Sequence, residues 1–229
     1  MNIQFYQKLT LLDYPSKTAC TVFTYGCNLR CPFCHNASLV VKPALDKVDE
    51  SEFFAFLDKR QNLLDGVCIT GGEPLLQPDI KDFICKIKNK GFLVKLDTNG
   101  FFPEKLEQLL SQGVIDYVAM DIKNSKEKYP LTCGIDNLDI NKVAASVELL
   151  KNSGIDFEFR TTAVKELHTE SDFENIGKWL NGNYKYYIQC FKDSGDLIKS
   201  GYSSPSKNAL FAFKSAVLPY VPTVELRGI

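Results

Sequence analysis

This 229-residue chain shows no long apolar run, no excess of one charge and no recognisable secretory signal, and each absence argues against a class of protein. No apolar run approaches the ~20 residues that span a bilayer; the longest, around Ala19–Phe23, has the length of a strand. Lys and Arg number 27 against 28 Asp and Glu, which argues against nucleic acid held by bulk electrostatics. The N-terminus lacks a basic region followed by an apolar stretch, so no secretory signal is predicted. We therefore expect a cytoplasmic protein that binds neither a membrane nor a nucleic acid.

Cysteine, in contrast, is abundant, with eight in the chain. Disulfide frameworks belong to short secreted chains, so these thiols are expected to be reduced. Five of them stand singly, at positions 20, 68, 85, 133 and 190. The other three, Cys27, Cys31 and Cys34, follow a predicted strand with the spacing C-x3-C-x2-C. In a reducing compartment this cluster predicts a metal or redox site.

Strand-like and helix-like segments alternate along the whole chain. The predicted strands are Ala19–Thr24, Gly66–Thr70, Phe92–Asp97, Tyr117–Ile122, Asp156–Val164, Tyr184–Phe191 and Thr223–Leu226. The predicted helices are Glu50–Leu64, Asp79–Lys90, Glu104–Gln112, Asn141–Asn152, Ser171–Leu180 and Ser206–Val217. Repeated β-α units predict a parallel sheet covered by helices, and a flat sheet and a barrel both fit the pattern. No linker composition divides the chain, so a single domain over residues 1–229 is expected, with residues 1–18 as a lead-in.

The cysteine cluster allows two kinds of inorganic centre. A closed zinc site needs four ligands, and the fourth could come from His35 or from a distant cysteine. An iron–sulfur cluster held by three cysteines would instead leave one iron open to a substrate or cofactor. We favour the open cluster and keep a zinc knuckle as the alternative.

The motif C-x3-C-x2-C, with the aromatic Phe33 just before its last cysteine, resembles that of the radical S-adenosylmethionine (SAM) enzymes. Three more motifs resemble elements of the same superfamily, and each ends a predicted strand: the GGEP motif in Thr70–Pro74, the DTNG motif in Asp97–Gly100, and Asp121–Lys123. Strand ends are where β/α folds build their active sites. The resemblance implies an α/β fold, a single-domain partial (β/α)6 TIM-like barrel of the radical SAM type. It also implies a 4Fe–4S cluster and SAM as cofactors.

The resemblance also implies a role for each motif residue. Cys27, Cys31 and Cys34 would be the only protein ligands of the cluster. Glu73 would accept a hydrogen bond from the SAM amine, and Lys123 or Arg160 would pair with its carboxylate. The other implied cofactor-binding residues are Phe33, His35, Gly71, Gly72, Asp97, Thr98 and Asn99. No catalytic residue is expected beyond the cluster and SAM.

Some roles stay open at the level of sequence. Arg160 fits a structural ion pair as well as it fits a contact to SAM. In relatives the main chain at the position of His35 reaches the adenine. We expect His168 to lie on the surface.

The segment before the cluster narrows the resemblance. Leu9–Lys17 and Thr21–Cys27 resemble the activating proteins of anaerobic ribonucleoside-triphosphate reductase, a glycyl-radical enzyme. The implied activity is hydrogen abstraction from a glycine of that larger enzyme, with a one-electron donor such as flavodoxin or ferredoxin. Ser16 stands where the relatives have glycine. Cys190–Lys192 stands where relatives often have a Gln-Phe-Arg-Pro run, which bears on the identity of the partner.

Three other functions remain open. The chain could activate another glycyl-radical enzyme, of the pyruvate formate-lyase type. It could be a small-molecule radical SAM enzyme such as a 7-deazapurine synthase, although that family lacks the Asp-Tyr-Pro lead-in. A non-catalytic iron–sulfur electron carrier is the third, but carriers ligate every iron with protein cysteines.

Overall fold

One eight-stranded sheet organises the computed structural model, which describes residues 1–42 and 47–229. The hydrogen-bonded order of the strands follows the chain from β1 to β8. β1 is antiparallel to β2, and every later neighbour is parallel. The strands are β1 (Ile3–Thr10), β2 (Ala19–Thr24), β3 (Gly66–Gly71), β4 (Leu93–Thr98), β5 (Tyr117–Asp121), β6 (Asp156–Ala163), β7 (Lys185–Cys190) and β8 (Val224–Arg227).

Helices connect the parallel strands and cover the sheet. They are α1 (Glu50–Asp58), α2 (Ile80–Asn89), α3 (Pro103–Ser111), α4 (Tyr129–Cys133), α5 (Ile140–Lys151), α6 (Glu170–Leu180) and α7 (Lys207–Val217). Six β-α units therefore precede the last strand, and the predicted partial (β/α)6 barrel is confirmed. Within residues 1–42 and 47–229, β1 and β8 form the two edges of the sheet and do not pair with each other.

Local sequence explains why these segments fold as they do. β2 and β3 are buried along almost their whole length, as expected for strands covered on both faces. α2 alternates buried residues such as Ile80, Ile84 and Ile87 with outward lysines, the pattern of an amphipathic helix. α6 begins with a capping box in which Thr169 and Asp172 exchange hydrogen bonds.

Three elements differ from the predictions. α4 lies where no helix was predicted. Residues 3–10 were expected to be a lead-in, yet they form β1, whose outer residues Gln7 and Lys8 are exposed at the sheet edge. Because an edge strand needs little apolar alternation, the sequence pattern did not reveal it. α1 ends at Asp58 rather than Leu64, since the chain turns through Asn62 with a φ of 63°.

No helix in the described ranges is long and apolar enough to cross a membrane.

Candidate active site

A cavity of about 310 Å³ opens at the carboxyl ends of the parallel strands. This is the edge where β/α folds place their ligands. Twelve residues predicted from the sequence line it: Cys27, Cys31, Phe33, Cys34, His35, Gly71, Gly72, Asp97, Thr98, Asn99, Lys123 and Arg160. Sequence motifs that lie far apart in the chain therefore meet at one site.

The cysteine loop forms one side of the cavity and is ordered by backbone contacts. The N–H of Cys34 donates to the carbonyl of Cys31 at 3.0 Å, and the N–H of Leu29 donates to the Cys27 sulfur at 3.4 Å. Within the described chain, no three Cys, His, Asp or Glu side chains converge closely enough to hold a single metal ion.

The three thiols differ in their electrostatic surroundings. Burial raises the pKa of Cys27 to about 12 and also raises the pKa of Cys34. A hydrogen bond from the Cys133 thiol lowers the pKa of Cys31, with Lys123 nearby acting in the same direction. Cys133 is fully buried, and its carbonyl accepts a hydrogen bond from the Arg30 N–H at 2.9 Å. The end of α4 therefore packs on the cysteine loop, which the spacing of the cysteines did not predict.

The glycine turn after β3 packs directly on the cysteine loop. Gly72 donates to the Thr24 carbonyl at 2.9 Å, and Glu73 donates through its backbone to the Gly26 carbonyl at 2.8 Å. A Cβ atom at Gly72 would overlap the Gly26 carbonyl oxygen. The close approach of the two backbones therefore requires glycine at position 72.

Glu73 lies behind the cavity wall rather than in it, since it is fully buried and is not among the described lining residues. Its carboxylate accepts hydrogen bonds from Leu75 N–H at 3.0 Å, Thr98 Oγ1 at 2.8 Å and Asn99 N–H at 2.7 Å. Burial outweighs these donors and raises the pKa of Glu73 to about 7. The direct contact with SAM predicted for Glu73 stays a prediction.

One wall of the cavity carries alternating charges, and we call it the charged wall; its lining residues are Asp97, Arg160, Asp121 and Lys123. Arg160 contacts Asp97 at 3.2 Å and Asp121 at 3.0 Å, and Lys123 contacts Asp121 at 2.9 Å. Lys95 also pairs with Asp97, so three cations face two anions. Burial alone would raise the pKa of Asp121, but Lys123 and Arg160 hold it well below its usual range. The ion pair predicted as an alternative for Arg160 is thus present, on a side chain that also lines the cavity.

His168 was expected at the surface, and that prediction is wrong. The ring is 4% exposed and lies under the strand end that carries Lys123. Its Nε2 is 2.9 Å from the Lys123 carbonyl oxygen, and its Nδ1 is 3.1 Å from the Val164 nitrogen. Nδ1 also lies 3.2 Å from the Val164 carbonyl oxygen. Burial lowers the pKa of His168, which favours a neutral ring whose Nε2 donates to the Lys123 carbonyl.

The loop between β7 and α7, residues 191–206, lies across the cysteine loop. Asp196 accepts from Ser38 N–H at 2.9 Å and pairs with Lys42 at 2.6 Å. Phe33 packs edge-on against Phe191 and Tyr202 of this loop. The sequence carried no recognisable signal that residues 191–206 pack on the cysteine loop. The contacts of this 191–206 loop join segments about 160 residues apart.

Several cavity residues escaped the sequence predictions. Asp121 was noted within its motif but was given no role, and Asp13, Thr162 and Gln189 were not singled out. Thr162 and Gln189 lie in adjacent register near the carboxyl ends of β6 and β7. That position at a strand end was the one signal that could have identified them.

The matching family model is the Radical SAM superfamily, over residues 21–180. A Methanocaldococcus jannaschii protein, provisionally named as a glycyl-radical enzyme activating enzyme, is 37% identical over 96% of this chain and 93% of its own. The chain belongs to the radical SAM superfamily and, within it, to the family of glycyl-radical enzyme activating enzymes. It is an enzyme of the radical SAM type, and that superfamily uses a 4Fe–4S cluster and SAM.

Two further relatives are less similar to this chain than that M. jannaschii protein is. The pyruvate formate-lyase-activating enzyme of Clostridium pasteurianum is 30% identical over 76% of this chain and 73% of its own. The 7-carboxy-7-deazaguanine synthase of M. jannaschii is 28% identical over 86% and 82%. The solved structure of Streptococcus suis SuiB bound to SAM has a TM-score of 0.68 at 14% identity, over 89% of this chain and 48% of SuiB. That likeness concerns the fold alone.

The residues present fit the two cofactors of the superfamily. Three thiols line one cavity, beside a charged wall that can receive an amino acid's amine and carboxylate. The Asn28 Nδ2 atom, next to Cys27, is buried and has no hydrogen-bond partner among the described residues. A buried donor of this kind is costly unless an acceptor reaches it.

Proposed function

We propose that this chain activates anaerobic ribonucleoside-triphosphate reductase by generating a radical on a glycine of that larger enzyme. The observation that carries the proposal is the single cavity in which three cysteines face the charged ends of β4, β5 and β6. The relatives named as activating enzymes support the reaction class. The Leu9–Lys17 lead-in, which resembles the reductase activators, supports this particular partner.

In this proposal Cys27, Cys31 and Cys34 bind the 4Fe–4S cluster. A reduced cluster held by these three cysteines would supply the one electron for reductive cleavage of SAM, and SAM would supply the group that removes a hydrogen atom from the partner's glycine. The electron comes from a small one-electron carrier such as flavodoxin or ferredoxin. The chain itself supplies ligands, orientation and exclusion of water.

The two cations of the charged wall, Lys123 and Arg160, have different roles in this proposal. Lys123 has one carboxylate partner, Asp121, and its side chain keeps 19% exposure toward the cavity. It can therefore turn a donor toward the SAM carboxylate. Arg160 is shared between Asp97 and Asp121 and fixes both carboxylates in position. Glu73 acts from behind the wall by holding Thr98 and Asn99.

The partner's glycine must reach the cavity from outside the sheet. Because β1 and β8 remain unpaired with each other in the described chain, the barrel is open laterally. A closed eight-stranded barrel would have its interior filled by side chains. An open one admits a polypeptide loop, which supports a protein substrate over a small molecule.

A pyruvate formate-lyase-type enzyme is the second candidate partner, because of the 30% identity to the clostridial activating enzyme. To decide between them, the chain is loaded with iron and sulfide under anaerobic conditions. It is then mixed with SAM, a reductant and either the reductase or the lyase. A glycyl-radical electron paramagnetic resonance signal with the reductase is the expected result.

Matched variants make the test specific. Cys31→Ala should abolish the glycyl radical and stable cluster incorporation, whereas Cys68→Ala, which removes a buried thiol elsewhere in the sheet, should preserve both. A radical with the lyase alone would reassign the partner. If the chain cleaves SAM and converts a purine precursor in the absence of both the reductase and the lyase, the 7-deazapurine alternative is favoured.

The cytoplasmic location of the chain stays a prediction.

A further inference from the structure

His168 is a buried histidine to which the proposed reaction gives no role. Its ring is 4% exposed, packs beside Phe173 at a centroid distance of 5.5 Å, and is not among the described residues that line the cavity. A buried imidazole has lost its water, so its nitrogens need hydrogen-bond partners inside the protein. The partners of those nitrogens therefore indicate what the ring does.

The Nε2 atom of His168 holds the main chain of Lys123. It lies 2.9 Å from the Lys123 carbonyl oxygen, and because a carbonyl oxygen only accepts, Nε2 carries the hydrogen. At the other ring nitrogen, Nδ1 lies 3.1 Å from the backbone nitrogen of Val164 and 3.2 Å from its carbonyl oxygen. The ring therefore links the chain just after β6 to the chain just after β5.

Buried hydrogen bonds also hold the residues on both sides of Lys123. The Ile122 carbonyl accepts from Thr161 Oγ1 at 2.7 Å, and Asn124 Nδ2 donates to the Leu167 carbonyl at 3.1 Å. Ile122 and Asn124 are 0% exposed, and Thr161 is 1% exposed. Three consecutive residues after β5 are thus anchored to β6 and to the loop that follows it. His168 supplies the middle anchor.

The ammonium group of Lys123 lies at the cavity. It pairs with Asp121 at 2.9 Å, and the side chain keeps 19% exposure. Because the lysine stem is long and flexible, a fixed main chain is needed to confine its ammonium to one part of the cavity. Loss of the His168 hydrogen bond would widen the range of positions that the ammonium occupies.

We propose that His168 is a positioning residue: by holding the Lys123 carbonyl, it keeps the Lys123 ammonium where it can donate to the carboxylate of SAM. The inference rests on the proposed function, which assigns SAM to this cavity and its carboxylate to Lys123. His168 itself contacts neither SAM nor the cluster. It acts from 45 positions further along the chain, outside the motifs that form the site.

The test compares the wild type with His168→Leu, His168→Gln, Lys123→Met and the double variant of His168→Leu with Lys123→Met. Leucine is apolar and has no donor, whereas the amide of glutamine can place an Nε2 donor where the ring nitrogen was. Tyr117→Phe is the matched control. It removes one buried hydrogen bond, to Glu158 at 2.9 Å, from the opposite end of β5.

Two quantities are measured for each protein. The dissociation constant of SAM is determined by titration into cluster-loaded protein reconstituted anaerobically. Amide hydrogen exchange over residues 122–125 is followed in cluster-free protein, where neither cofactor contributes. Circular dichroism verifies folding, and His168→Asn, whose amide matches Nδ1 rather than Nε2, replaces the leucine variant if that protein does not fold.

In His168→Leu the affinity for SAM should fall roughly two- to tenfold, the effect of losing one ordinary hydrogen bond, and residues 122–125 should exchange faster. His168→Gln should restore most of both properties. Tyr117→Phe should keep wild-type affinity and wild-type exchange in this segment. Lys123→Met, which removes the donor itself, should lose more affinity than His168→Leu. Adding His168→Leu to it should cause no further loss, because His168 acts through Lys123.

Three results would overturn the inference while leaving the proposed function intact. The first is unchanged SAM affinity in His168→Leu beside a clear loss in Lys123→Met. The second is an undiminished further loss in the double variant, which would mean that His168 acts by another route. The third is an equal loss in Tyr117→Phe, which would make the effect one of general destabilisation. If the cluster-loaded wild type does not bind SAM, the proposed function fails, and this inference with it.

Discussion

The buried carboxylate of Glu73 accepts a hydrogen bond from the Asn99 backbone N–H at 2.7 Å, and this joins the turn after β3 to the end of β4. The same carboxylate holds the Thr98 hydroxyl at 2.8 Å. Two motifs that look independent in sequence are therefore one structural unit. The carboxylate thus holds two residues that line the cavity, Thr98 and Asn99.

The burial of Glu73 predicts a specific pH dependence of stability. Its folded-state pKa of about 7 lies above the ordinary 4.5, so the folded protein holds a proton that the unfolded chain releases. The stabilisation from this group is complete below pH 4.5 and is lost as pH rises through 7. Guanidinium unfolding of the cluster-free wild type and of Glu73→Gln across this window gives the difference between their free energies of unfolding. As pH rises, the wild type should lose unfolding free energy relative to Glu73→Gln by at most about 1.4 kcal/mol per pH unit. Parallel pH profiles for the two proteins would contradict the assignment.

Gly72→Ala should disturb the cysteine loop. The added Cβ overlaps the Gly26 carbonyl oxygen, so the two backbones must separate, at about 1–3 kcal/mol of unfolding free energy. Iron incorporation should fall, because Cys27 follows Gly26 directly. Gly91→Ala is the control, since its Cβ meets open space and only its φ of 85° is unfavourable. It should lose some stability and keep its full iron content, and equal iron loss in both variants would argue against the steric explanation.

Ser16→Gly should stabilise the protein. Ser16 has a φ of 59°, in the left-handed region that costs a side chain about 1–2 kcal/mol. Glycine avoids this cost but loses about 0.5–1 kcal/mol in chain entropy. The net gain should be up to about 1.5 kcal/mol, measured as a rise of up to roughly 3–6 °C in Tm. Ser16→Ala, which keeps a Cβ, should show no such gain, and a gain of equal size there would exclude backbone strain as the cause.

Ser16 also illustrates what the sequence could reveal. Its replacement of a family glycine suggested a turn and little more, whereas the positive φ explains why glycine is the residue that fits. The six β-α units were predictable because buried parallel strands and amphipathic helices have different periodicities. β1 was missed because an exposed edge strand lacks such a pattern.

The positions of site residues were predictable from the sequence where those residues lie at strand ends. They were not predictable where they depend on side-chain packing. The motif residues from Cys27 to Arg160 meet because parallel strands end at one edge. Packing between distant segments buries Glu73 and His168 and places the end of α4, with Cys133, on the cysteine loop. No spacing in the chain encodes those contacts.

Lys123 and Arg160 should respond differently to substitution, although both are cations of the same wall. Lys123→Met removes one donor from the SAM carboxylate, so SAM affinity should fall roughly ten- to a hundredfold, the effect of a hydrogen bond to a charged group of about 1.5–3 kcal/mol. Stability should fall less than in Arg160→Met, because only one carboxylate, Asp121, loses a cation and it keeps Arg160 as a partner. Arg160→Met takes one cation from each of two partly buried carboxylates, so the free energy of unfolding should fall by about 1.5–3 kcal/mol.

Titration of SAM into cluster-loaded protein and denaturation of cluster-free protein separate the two effects. Substitution of an exposed lysine, Lys126→Met, is the matched control for both measurements. Unchanged SAM affinity in Lys123→Met would remove Lys123 from the SAM site, and unchanged stability in Arg160→Met would mean that the ion pairs of the wall do not hold the strand ends together.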